Sequence, residues 1–95
     1  MFIHVVCFKY TSGLEASVRV EHRARLQALA DIDGVLDLKV GEDVVRSPRS
    51  YDTGLVIMFR DHTALDAYQR NPRHIPVAQF GIANCESIVA ADFSA

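Results

Sequence analysis

Apolar and polar positions alternate at two periods along this chain, and the switches between them mark out the elements. Phe2 to Tyr10 (FIHVVCFKY) is dense in β-branched and aromatic residues and predicts a strand. Phe2, His4, Val6 and Phe8 project to one side of it, and Ile3, Val5, Cys7 and Lys9 to the other. Thr11-Ser12-Gly13 reads as a turn. From Leu14 to Ala30 the period becomes helical, with Leu14, Val18, His22, Leu26 and Leu29 on one stripe and Arg19, Glu21, Arg23 and Gln27 mostly off it. Asp31 to Gly34 ends this helix, with Gly34 suited to a left-handed turn.

Val35 to Val45 sets Leu36, Leu38 and Val40 against Asp37 and Lys39, the pattern of a strand with one wet face, and Gly41 marks a bulge or its end. The polar segment Arg46 to Ser50 predicts a hairpin loop. Tyr51 to Phe59 (YDTGLVIMF) is apolar on both faces at its centre, as an interior strand is. Asp61 is a candidate N-cap for a helix carrying Leu65 and Tyr68, which ends at Asn71-Pro72 because the residue before proline avoids helical geometry. A short third helix follows, with Ile75, Val77, Ala78 and Phe80 on its buried side and Pro76 disturbing its first turn. Cys85 to Phe93 (CESIVAADF) is the last strand.

Strand, helix, strand, strand, helix, strand is the order of an α+β, ferredoxin-like βαββαβ domain, with a four-stranded antiparallel sheet and helices on one face. Ninety-five residues fit one such domain, spanning 1–95. Helices cover only one side of the sheet, yet several strands are apolar on both. The open face is therefore expected to meet a second copy in a homodimer, sheet against sheet. The 49% apolar content, high for so short a chain, points the same way.

Ten basic and twelve acidic residues leave a net charge of −2, so nothing favours nucleic acid. No apolar run approaches a membrane span, and Met1 to Phe8 is too short for a signal peptide. Cys7 and Cys85 fit no CxxC pattern, which suits free thiols in the cytoplasm. The four histidines show no HExxH or HxH spacing, so no metal is implied. There is no nucleophile elbow and no glycine-rich phosphate loop, and no cofactor is expected.

The segments FIHVVCFKY, VLDLKVGED, YDTGLVIMFRD, ALDAYQRNPRH and ESIVAADF together resemble, in order and spacing, the stress-responsive dimeric A/B-barrel (Dabb) family, over nearly the whole chain. The resemblance implies a homodimer whose two sheets form an α/β barrel with the helices outside. One plant member is a polyketide cyclase with its pocket between sheet and helices. Carried over by position, its catalytic histidine and tyrosine fall on His74 and Tyr68, its strand-1 histidine on His4, and an aromatic pocket residue on or beside His22. Asn71 stands where members often have histidine, and Pro76 is a second departure.

His4, His22, Tyr68 and His74 are thus expected around one space, with Leu26, Leu55 and Ile57 as apolar walls. A histidine titrates near neutrality and suits a general base, and a tyrosine hydroxyl can stabilise an enolate as its charge develops. That pairing fits cofactor-free cyclisation or isomerisation of a small apolar carbonyl compound, with His74 as base. The alternative expectation is a non-catalytic structural or binding dimer whose pocket is filled by its own side chains.

Overall fold

The computed structural model describes all 95 residues. The elements are β1 (Phe2–Tyr10), α1 (Ala16–Gln27), β2 (Val35–Glu42), β3 (Thr53–Phe59), α2 (His62–Arg70), α3 (His74–Asn84) and β4 (Cys85–Ser94). They form one four-stranded sheet in the order β2-β3-β1-β4, antiparallel throughout. This is the expected ferredoxin-like arrangement, with β1 central and β4 at an edge. No helix is long and apolar enough to cross a membrane.

β1 shows why the alternation was informative. Phe2, His4, Val6, Phe8 and Tyr10 are buried beneath the helices, and the residues between them are only half-buried on the open face. The core joins Val6 and Phe8 to Leu26 and Leu29 from the first helical region, Leu38 of β2, Leu55, Ile57 and Phe59 of β3, and Leu65 and Tyr68 of α2. Ile57 and Phe59 are wholly buried, each a contribution of about 1.5–3 kcal/mol in apolar transfer. On the open face the register aligns Ile3 with Met58 and Phe93, Val5 with Val56 and Ala91, and Cys7 with Val89. Val56, Val89 and Phe93 there are 37%, 46% and 47% exposed.

The first helix is shorter than its apolar stripe: after Gln27 the chain continues as turns, and Leu29 still reaches the core. Gly34 takes φ +91°, and a Cβ on it would come within 2.8 Å of the Ala64 side chain, so α2 packs here only against a glycine. β2 differs from expectation. Gly41 lies next to the strand's end at Glu42 and carries no bulge; the irregularity lies between Val35 and Asp37, and it turns Leu36 out to 58% exposure.

Asp61 caps α2 as expected, its carboxylate accepting from Ala64 N–H at 2.8 Å. Asn71 then turns the chain: its backbone is extended before Pro72, its side chain accepts from Arg73 N–H at 2.8 Å, and its carbonyl accepts from His74 N–H at 2.9 Å. Pro76 is the third residue of α3, where no intrahelical donor is needed, so it disturbs nothing. His74 is consequently the first residue of α3, directed back over the end of α2.

Candidate functional site

A cavity of about 350 Å³ lies between the sheet and the helices, and ten of its thirteen lining residues are hydrophobic. His4, Val6 and Phe8 of β1 form its floor, with Leu55 of β3 beside them and Ile88 and Ala90 of β4 toward the sheet edge. His22 and Leu26 of α1, Tyr68 of α2 and His74 and Val77 of α3 complete the walls. Its polar groups are therefore three histidines and one tyrosine set in an apolar surround.

Tyr68 and His74 occupy one end, with ring centroids 4.6 Å apart and planes inclined at 52°. His74 Nδ1 lies 3.2 Å from the Gln69 carbonyl. That oxygen only accepts, so Nδ1 carries the proton and Nε2 keeps the lone pair. Burial lowers the His74 pKa, the Gln69 carbonyl works against that shift, and the charge of His4 adds to it. The imidazole is thereby neutral, and basic at Nε2, at neutral pH. Tyr68 is 1% exposed and packs edge-on to Phe59 at 5.1 Å. Burial alone pushes its hydroxyl up to about 12, so it stays protonated and able to donate.

His4 is held from the other side. Its Nδ1 pairs with the Asp92 carboxylate of β4, directly across the register from it. A carboxylate accepts, so Nδ1 is again the protonated nitrogen, and Nε2 is left as the free one.

At the opposite end of the floor His22 stands edge-on to Phe8, ring centroids 4.7 Å apart. Its Nδ1 is 2.7 Å from the Tyr10 hydroxyl, which is 2.9 Å from Thr53 Oγ1, which in turn accepts from Arg23 at 3.2 Å. Burial, together with the charges of Arg23 and Arg25, depresses the His22 pKa to about 4, so the ring is neutral.

Of the residues expected at the site, His4, His22, Leu26, Leu55, Tyr68 and His74 all line this one cavity. Ile57 does not. It points inward like His4, its register partner, but is fully covered and belongs to the core rather than to the cavity wall. Asp92 was missed altogether. The available signal was a lone carboxylate in the apolar run IVAADF, at the same parity as Ile88 and Ala90. A wider depression of about 490 Å³ on the open sheet face, bordered by Cys7, Lys39 and Tyr51, contains no histidine.

The model of the stress responsive A/B barrel domain family matches residues 2–95. Among curated proteins none matches the sequence. Solved structures do. A dimeric ferredoxin-like protein of unknown function from Thermobifida fusca superposes with a TM-score of 0.90 at 20% identity, covering 99% of this chain and 90% of that one. A Dabb family protein from Mesorhizobium loti gives 0.83 at 21% identity, covering 99% and 95%. A hydroxynitrile lyase from Passiflora edulis gives 0.86 at 18% identity, covering 97% and 90%. At such identities the likeness is one of fold.

Proposed function

The chain belongs to the stress responsive A/B barrel domain family, and from that premise we propose that it is a cytoplasmic homodimer whose cavity binds a small, largely apolar carbonyl compound and promotes its cofactor-free cyclisation or isomerisation. The observation that carries this reading is the pairing of Tyr68 with His74 at one end of an otherwise apolar cavity. His74 Nε2 is the base that removes a proton from the carbon beside the carbonyl. The Tyr68 hydroxyl donates to the carbonyl oxygen as it becomes an enolate. Such a donor acts best in a water-poor site, where its field is little screened.

His4 supports the same chemistry. Fixed by Asp92, its ring presents one orientation to the cavity, and it contributes a second polar contact to the reacting end. Val6, Leu26, Leu55 and Val77 form the apolar walls, which favour a hydrocarbon body over a phosphorylated one. The open volume favours this reading over a dimer with a self-filled pocket.

Self-association is supported by the apolar open face around Ile3, Val5 and Cys7 and by the dimeric state of the Thermobifida fusca neighbour. Burying that face sheet against sheet removes from water the side chains the helices leave uncovered.

A crystal soaked with nonan-2-one tests the binding step. The expected result is ketone density with its oxygen within hydrogen-bond distance of Tyr68. Density elsewhere on the protein, with the cavity empty at saturating ketone, would contradict the proposal.

A further inference from the structure

Exposure rises steadily from one side of the cavity lining to the other. Tyr68 is 1% exposed, Leu55 3%, and His4 and Val6 7%. Ile82 is 68% exposed and Ile88 38%, and with Ala90 they are the lining residues that stand open to water. They come from two neighbouring elements, the C-terminal part of α3 and β4, which is the edge strand of the sheet. Apolar side chains that line a cavity and also face solvent mark its mouth.

The mouth lies away from the reacting pair. His74 opens α3 and Ile82 is eight residues further on, about 12 Å at 1.5 Å per residue. The β1–β4 register runs the same way: Asp92 is opposite His4, and Ile88 is opposite Phe8. Ile88 and Ala90 share the parity of Phe8 and Val6, so they lie on the helix side of the sheet. A sheet-against-sheet dimer covers the other face and leaves this mouth open. No aspartate, glutamate, lysine or arginine lines the route from His74 to Ile82.

We propose that the ligand is an oxo-alkyl chain longer than the cavity. It enters carbonyl first, and its tail leaves between Ile82 and Ile88 with the far end in water. This rests on the carbonyl-binding reading above and extends it from a small enclosed compound to a chain. A tail in this position covers apolar surface that otherwise faces solvent. Because its far end is solvated, that end can carry a charge without desolvation, which a closed apolar cavity would forbid. Ile82 is then a specificity residue, since it meets long chains and not short ones.

Calorimetric titration with undecan-2-one and 11-oxododecanoate tests this, since the second differs only by a carboxylate at the far end. Its affinity is expected within about tenfold of the neutral ketone's, because the ionised group stays in water. Binding of undecan-2-one with a keto acid more than tenfold weaker would overturn the open mouth and leave the carbonyl site standing. Binding of neither would overturn both readings. Intermolecular NOEs fix the direction: the methyl-ketone protons should reach Tyr68, and the protons beside the carboxylate should reach the Ile82 methyls. The reverse pattern would overturn head-first entry. Ile82→Ser, at an exposed position, should weaken undecan-2-one about threefold, near the worth of one buried methylene, and leave hexan-2-one unchanged. An equal effect on both ketones, or none on either, would contradict the role of Ile82.

Discussion

His74 faces Tyr68 across 4.6 Å because the chain reverses between them: Asn71, extended before Pro72, ends α2 and presents its carbonyl to the first N–H groups of α3. Local backbone chemistry thus sets a histidine and a tyrosine six residues apart over a single cavity. The pair is also electrostatically matched, a neutral imidazole with a free lone pair beside a phenol that burial keeps protonated.

Removing the phenol oxygen should separate fold from chemistry. The Tyr68 ring packs against Phe59, and only burial perturbs its hydroxyl. Tyr68→Phe is expected to leave thermal stability within about 1 kcal/mol of wild type. Proton abstraction from a bound ketone should fall by roughly 10²–10³, as when an oxyanion donor is lost. Calorimetry and a kinetic assay on the same sample check both halves.

The open sheet face should hold two copies together. Light scattering is expected to give twice the 10.6 kDa chain mass at micromolar concentration. Val5→Asp places a carboxylate at the centre of that face and should dissociate or unfold the protein, since an unpaired buried charge costs about 3–5 kcal/mol. A wild-type monomer would contradict the barrel.

Much of this arrangement was legible in the sequence, for physical reasons that differ by element. Period-two alternation in FIHVVCFKY placed His4 on the helix side because one face of that strand is sealed. Asp61 and Asn71-Pro72 were readable because caps and prolines act within a few residues of themselves. Asp92 was not, since its partner His4 is 88 positions away and only the β1–β4 register joins them. Ile57 was misplaced because strand parity shows which way a side chain points and not whether a neighbour covers it. The turned-out Leu36 has the same origin: an irregularity between Val35 and Asp37 shifts parity inside a stretch whose sequence alternates regularly.

Acid should destabilise the fold through His22. The unfolded ring takes up a proton near pH 6.5, while the folded ring resists until about 4. The unfolded state therefore binds more protons in this window, and stability falls as pH drops from about 6.5 to about 4, by on the order of 3 kcal/mol. Above pH 6.5 this contribution is fully present. Chemical denaturation across that range should show a flatter profile for His22→Phe than for wild type; parallel profiles would contradict the assignment.

Both cysteines are free, and the reactivity of Cys85 should differ from that in the unfolded chain. Burial, aided by the charge of Asp52, pushes the Cys85 thiol up to about 11. Thiolate is the reactive form, so iodoacetamide at pH 8 should modify Cys85 about a hundredfold more slowly in the folded protein than in denatured chain. Peptide mapping by mass spectrometry reads the two rates directly.

Deuterium exchange bears most directly on the role of His74. In D₂O at neutral pH the wild-type protein is expected to accelerate exchange of the α-hydrogens of nonan-2-one over buffer alone, followed by proton NMR. His74→Ala should reduce the protein-dependent rate by a factor of about 10²–10⁴, the range of a general base. A wild-type protein that accelerates nothing, or a His74→Ala variant that exchanges as fast as wild type, would contradict the account.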